Sequence, residues 1–211
     1  MALALLHTSP VHVPVFDGLR DAEHAGLALR HLVSEELLTR ARAQGPEAVA
    51  GDVERMLRCA VAEGAEAVLC TCSTIGGVAE EVGPRLGVPV LRVDRPMAAL
   101  AAAAGRVVVL AAVESTLGPT VELIRSEAVG APPRITTRSV EGAWERFEAG
   151  DREGYLAAVA AAVDAVPVAE ADVIVLAQAS MADAVGRAAT SLPVLASPRT
   201  GLAAAVEAAR G

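Results

Sequence analysis

Short runs of valine, leucine and isoleucine recur along the chain, each closed by turn residues and followed by a longer alanine-rich stretch. The runs Leu3–Leu6, Ala67–Leu69, Val88–Val93, Arg106–Ala111, Arg134–Ser139, Val173–Leu176 and Pro193–Ala196 read as strands. Most are apolar at nearly every position, as strands covered on both faces of a parallel sheet must be. Helices are expected around 21–44, 48–63, 76–85, 96–104, 118–129, 153–166, 182–190 and 199–209. Gly150-Asp151 before Arg152-Glu153 suits a helix start, and Gly64 and Gly130 suit helix stops. Strand and helix alternate, which predicts an α/β fold of right-handed βαβ units, layered as in flavodoxin or Rossmann domains.

The pattern repeats. Ala65-Glu66-Ala67-Val68-Leu69-Cys70-Thr71-Cys72-Ser73-Thr74 is followed by Gly87-Val88-Pro89-Val90-Leu91. Ala171-Asp172-Val173-Ile174-Val175-Leu176-Ala177-Gln178-Ala179-Ser180 is followed by Ser191-Leu192-Pro193-Val194-Leu195. Each reads strand, polar turn, helix, then a strand opened by an apolar-Pro-apolar triplet. Aligned, Cys72 falls opposite Gln178 and Thr74 opposite Ser180. Leu3–Thr8 and Val107–Thr116 also correspond, each a strand running into hydroxyl residues. We therefore expect two pseudo-symmetric lobes, 1–95 plus 198–211 and 96–197. Ligands gather at the carboxyl ends of such strands, so the expected site lies where the polar turns of the two lobes meet.

Composition narrows the chemistry. Of 211 residues, 53% are hydrophobic and only 2% aromatic, so alanine and valine must do most of the packing. All 18 basic residues are arginine; with no lysine there is no internal Schiff base, which excludes a pyridoxal-phosphate enzyme. A net charge of −8 argues against a nucleic-acid partner. No apolar run reaches the roughly 20 residues that cross a bilayer, so no membrane partner is expected. The apolar stretch before His7-Thr8-Ser9-Pro10 reads as a buried strand and not as a signal peptide. Three cysteines, an odd number, suggest free thiols and a cytoplasmic location.

Cys72 carries the chemical interest. It ends a strand and precedes a helix starting near Ile75-Gly76-Gly77, where unpaired N–H groups and the helix dipole favour a thiolate. The same amides, with the Ser73 and Thr74 hydroxyls, suit a substrate carboxylate. The competing reading is a buried structural cysteine. Cys70 falls inside the strand, and the single residue between it and Cys72 suits neither a redox pair nor a zinc half-site. Cys59 is expected to pack within its helix. Of the four histidines, only His24 and His31 share an expected helix, seven apart, so no metal site is expected.

Thr71-Cys72-Ser73-Thr74 after a strand resembles the first catalytic-cysteine turn of the aspartate/glutamate/hydantoin racemase superfamily, where cysteine is followed by a small polar residue and threonine. Leu6-His7-Thr8-Ser9-Pro10 resembles that family's first substrate-binding loop. Val107–Leu110 with Glu114-Ser115-Thr116-Leu117 resembles its second-lobe strand and threonine turn. Val173–Leu176 with Gln178-Ala179-Ser180-Met181 stands where its second cysteine turn belongs. The resemblance spans nearly the whole chain. It implies a cofactor-free site in which one cysteine removes the proton alpha to a carboxylate and another returns it on the opposite face. It also implies a homodimer. The sequence departs from the pattern at the second thiol, where Gln178 can neither take nor give a proton near neutral pH.

Three functions remain open. Cys72 is a nucleophile or single acid–base group in an isomerase or lyase acting on a small carboxylic acid, as in the family's cis–trans isomerases and one-cysteine decarboxylases. Alternatively, the protein is a racemase with a non-cysteine second base, for which His7 has the right titration range. In the third, it is an inactive small-carboxylate binding protein. Catalytic candidates are Cys72, Gln178 and His7; binding candidates are Thr8, Ser9, Ser73, Thr74, Ser115, Thr116, Ala179 and Ser180; no metal or organic cofactor is expected. Asp94-Arg95-Pro96 opens the crossing between lobes, with Pro96 at a helix start. Arg199 reads as a surface residue, Glu35-Glu36 and Glu80-Glu81 as solvated helix faces, and Trp144 and Phe147 as lobe core.

Overall fold

A computed structural model describes residues 1–211 and divides them into Met1–Asp94 with Pro198–Gly211, lobe one, and Arg95–Ser197, lobe two. Lobe one contains β1 (Ala2–His7), α1 (Val13–Glu23), β2 (Ala28–Val33), α2 (Glu35–Gln44), α3 (Ala50–Ala62), β3 (Ala67–Cys70), α4 (Gly76–Val82) and β4 (Val90–Arg92). Lobe two contains α5 (Arg95–Ala102), β5 (Arg106–Ala111), α6 (Leu117–Ser126), β6 (Arg134–Ser139), α7 (Ala143–Glu148), α8 (Arg152–Asp164), β7 (Val173–Leu176) and β8 (Val194–Ala196). The last helix, α9 (Ser197–Ala208), packs back into lobe one. Each sheet has four parallel strands, ordered β2-β1-β3-β4 and β6-β5-β7-β8.

Central strands are buried on both faces because alternate residues enter different cores. In lobe one, Ala4, Leu6, Val68 and Cys70 meet α2, α3 and α4, whereas Leu3, Leu5, Ala67 and Leu69 meet α1 and α9. In lobe two, Val108, Leu110, Ile174 and Leu176 meet α8, and Val107, Val109, Val173 and Val175 meet α5 and α6. Small side chains let backbones approach closely. A Cβ on Gly201 of α9 would lie 2.5 Å from the Val93 carbonyl oxygen.

The internal repeat extends to single hydrogen bonds. Glu66 and Asp172, each just before the third strand of its lobe, accept from the backbone N–H of Ala2 and Arg106 at 2.8 Å in both cases. Val68 and Ile174 donate to Pro89 and Pro193, both at 2.9 Å; Thr71 and Ala177 donate to Leu6 and Leu110, again at 2.9 Å. The next residues, Cys72 and Gln178, are therefore structural equivalents. Gly64 closes α3 at φ +95°, a conformation costly for other residues, and Asp151 caps α8 by accepting from Gly154 N–H at 2.9 Å.

Four expectations are corrected. The single helix over 21–44 is α1, β2 and α2: the chain turns through Gly26 at φ +85° and pairs along the outer edge of β1. β2 is half-exposed, and Ala28-Leu29-Arg30-His31-Leu32-Val33 is as compatible with helix as with strand until β1 offers it a ladder. His24 and His31 accordingly share no helix. The helix expected at 182–190 is a 3₁₀ segment, Ala179–Arg187. Cys59 is exposed, because α3 turns Val53, Leu57 and Ala60 to the core. Glu80 is half-buried, its carboxylate 3.4 Å from the Arg92 N–H, so only Glu81 is a solvated face. Arg199 pairs with Glu23, Trp144 stacks on Phe147 at 5.1 Å, and Phe147 packs against the lobe-two core.

Gly201→Ala tests the close approach of α9. Alanine is the better helix former by about 1 kcal/mol, yet its Cβ would press on a backbone carbonyl. A net destabilisation of about 1–3 kcal/mol is expected in denaturant unfolding, and a stabilised variant would contradict this packing.

Candidate functional site

The parallel ladder β1–β3 ends at Leu6 opposite Cys70, so the residues beyond it form two adjacent turns. Thr8 and Ser9 follow β1; Cys72, Ser73 and Thr74 follow β3. Cys72 is half-buried, Thr8 and Ser73 are buried, and Ser9 and Thr74 are half-exposed. Cys70 is fully buried, and its thiol donates to the Cys72 carbonyl at 3.7 Å. Burial, foremost, pushes its pKa well above the usual thiol range. Cys70 is thus a packed, protonated thiol that supports the turn.

Beneath that turn lies a buried ion pair with no motif to mark it. Arg92, at the end of β4 and 8% exposed, forks onto Asp94, 0% exposed, through Nε to Oδ1 at 2.6 Å and Nη2 to Oδ2 at 2.9 Å. Nη2 also lies 3.4 Å from the Ser73 carbonyl oxygen. Burial pulls the guanidinium's pKa down, and the hydrogen bonds and charge of Asp94 more than offset this, leaving it raised. A lone basic residue at a strand end carries no signal in sequence, since its partner two positions on reads as a turn residue.

On the other side of β3, His7 joins a polar chain. The Thr71 hydroxyl donates to the Leu6 carbonyl at 3.2 Å, so it accepts from His7 Nδ1–H at 2.8 Å. That fixes His7 Nε2 as the acceptor, 2.8 Å from His31 Nδ1, and His31 Nε2 lies 3.4 Å from Asp17 Oδ1. His7 is 0% exposed. Its pKa falls to about 3 through burial first, then through His31 and His12. Both ring nitrogens are engaged inside lobe one, leaving none to exchange a proton with a ligand. His12, in the loop after β1, has a buried Nδ1 without a partner, and burial lowers its pKa to about 4.

Lobe two builds the equivalent turns differently. Gln178 Oε1 accepts from the backbone N–H of Ala112 at 2.7 Å and of Val113 at 3.0 Å. Two donors on one atom identify that atom as the carboxamide oxygen and leave Nε2 as a donor only. Ser180 shares a 2.8 Å hydrogen bond with the hydroxyl of Tyr155, which is 1% exposed and raised to about 12 by burial. Ala179 and Thr116 are buried, and Ser115 is exposed. Lobe one therefore gathers Thr8, Ser9, Cys72, Ser73 and Thr74, and lobe two gathers Gln178, Ala179 and Ser180 beside the loop leading to Ser115 and Thr116. No group of three or more histidine, cysteine or acidic residues is placed to hold a metal ion, and no helix is long and apolar enough to cross a membrane.

The His7 chain makes stability depend on pH. His7 is depressed from 6.5 to about 3 in the folded state, so between those values the unfolded chain binds the proton more readily. Stability should fall by a few kcal/mol as pH drops from about 7 towards 3 and level off below that. Denaturant unfolding at pH 7.5, 6 and 4.5 reads the slope. His7→Asn, which cannot titrate, should make it shallower and leave the part due to His12, and an unchanged slope would remove His7 as a source.

Comparison with known proteins follows the same outline. Residues 20–208 match the Asp/Glu/Hydantoin racemase family. No curated protein sequence matches the chain. A Yersinia pestis protein described as an Asp/Glu racemase is 13% identical over 100% of this chain and 99% of its own, with a TM-score of 0.73. Glutamate racemase from Thermus thermophilus is 16% identical over 98% of this chain and 79% of its own, at 0.68. Arylmalonate decarboxylase is 17% identical over 99% of this chain and 92% of its own, at 0.64. At such identities the structural likeness establishes the fold, two lobes of parallel sheet flanked by helices. The family match covers most of the sequence, and this chain is a member of the Asp/Glu/hydantoin racemase family.

Proposed function

We propose that the protein is a cofactor-independent isomerase or lyase acting on a small carboxylic acid, with Cys72 as its nucleophile or single acid–base group. The observation that carries this reading is the state of Gln178. It occupies the position equivalent to Cys72, and its oxygen is committed to two backbone amides. A carboxamide so held donates hydrogen bonds but cannot accept or deliver a proton, so the lobe-two turn serves binding. Cys72 is half-buried, on a turn whose strand end is braced by Cys70, Thr71 and Arg92. Thr8, Ser9, Ser73 and Thr74 supply hydroxyls and amides suited to a carboxylate. Small carboxylic acids suit the family by name, and arylmalonate decarboxylase shows by name that the fold hosts decarboxylation.

Chemistry with one proton-transferring thiol has a stereochemical signature. Incubation with aspartate, glutamate, allantoin and an arylmalonate in deuterated water should reveal a substrate that gains solvent deuterium without inversion of configuration. Cys72→Ser should lower that turnover by on the order of 10³-fold or more, and a chelator should leave it unchanged. Full activity in Cys72→Ser would sink the reading.

Gln178→Cys supplies a group able to exchange a proton at the second turn. Racemisation of the same substrate, followed by chiral chromatography, should then appear. A product that stays single-handed would remove the lobe-two turn from the chemistry.

A further inference from the structure

We propose that Arg92, clamped by Asp94, is a positioning residue that sets the Ser73–Thr74 peptide so that the Cys72 turn recognises a carboxylate. This rests on the assignment of Cys72 as the reactive thiol of a carboxylate site.

Arg92 stands beside Cys70 in the β3–β4 register, and its side chain runs across the strand ends instead of out to water. Asp94 holds the guanidinium by two edges, which fixes its plane and directs Nη2 towards the Ser73 carbonyl, 3.4 Å away. A trans peptide is planar, with its C=O and the following N–H pointing in opposite directions. A Ser73 carbonyl turned down to Arg92 therefore turns the Thr74 N–H to the other side of the turn, as a donor for an anion. The reverse orientation would set an N–H dipole against a buried cation. The start of α4 is shaped to this side chain. A Cβ on Gly76 would lie 2.9 Å from Arg92 Cβ and 3.2 Å from its Nε, and one on Gly77 would lie 3.7 Å from Nη1. Glu80 Oε1, 3.4 Å from the Arg92 backbone N–H, holds the strand end from α4. Stability alone does not account for the pair, since an apolar pair of similar volume serves a core equally well. Its geometry accounts for where the Ser73 carbonyl points.

Two alkylating agents that differ only in charge test this. Iodoacetamide and iodoacetate react alike: the sulfur attacks the methylene carbon, a C–S bond forms, and iodide leaves with the C–I electron pair. The thiol proton passes to solvent. In a Cys59→Ser background, which removes the exposed thiol, second-order rates of Cys72 modification are measured by mass spectrometry for both reagents. Glutathione provides the intrinsic ratio of the two rates. The native turn should raise the iodoacetate-to-iodoacetamide ratio about tenfold above that of glutathione. Arg92→Met should return it close to the glutathione value while changing the iodoacetamide rate less than about twofold, and Arg92→Lys should recover part of it. If Arg92→Met does not fold, Asp94→Asn, which keeps the cation but loosens the clamp, should lower the ratio in the same sense. A folded Arg92→Met protein that keeps the native ratio, or a folded Asp94→Asn protein that does so where Arg92→Met fails to fold, overturns the positioning role and leaves the carboxylate reading intact. A native protein showing the glutathione ratio overturns the carboxylate reading itself, and the proposal with it.

Discussion

A parallel sheet leaves its last backbone amides and carbonyls without ladder partners at the carboxyl end of its strands, and something must satisfy them. That constraint organises both lobes. In lobe one the Thr71 hydroxyl closes onto the Leu6 carbonyl, Cys70 donates to the Cys72 carbonyl, and Arg92 faces the Ser73 carbonyl. In lobe two the Gln178 carboxamide takes up the amides of Ala112 and Val113. One lobe satisfies its strand ends from below and leaves a thiol at the turn. The other spends its turn side chain on the same task. Cysteine in one lobe and glutamine in the other thus stand at equivalent positions with different partners.

The packing explains how so many polar groups sit in a dry place. With few aromatics, the layers close on alanine, valine and glycine, and sheet and helices lie near one another. The imidazole of His7 and the guanidinium of Arg92 are buried among these layers. Both ring nitrogens of His7, and Nε and Nη2 of Arg92, have hydrogen-bond partners, as buried polar groups require. Both lie next to β3, one on each side of the strand that carries the thiol.

The sequence displayed the fold through β1, β3, β5 and β7, whose runs are apolar at nearly every position because both faces are covered. It hid β2, since an edge strand half in water alternates weakly and its residues favour helix as readily. β6 occupies the equivalent edge of lobe two, yet its threonines and isoleucine betray it. The repeat aligned Cys72 with Gln178 because strand, turn and proline triplet recur together, and the hydrogen-bond registers coincide at those residues. The Arg92–Asp94 fork and the Asp17–His31–His7–Thr71 chain were not legible. The chain joins residues from different strands and helices that only the register brings within bonding distance, and the fork depends on burial turning Arg92 back onto a residue two positions away. His7 drew attention for its titration range, which burial then removes.

The return of α9 has a consequence for how the molecule is made. Leu202, Ala205 and Val206 complete a core that Leu3, Leu5 and Phe16 begin. During synthesis lobe one therefore cannot finish that core until the last helix has left the ribosome, while lobe two is contiguous and already whole. The core between β1, α1 and α9 thus rests on contacts between residues far apart in sequence, the kind that loop-closure entropy makes slow.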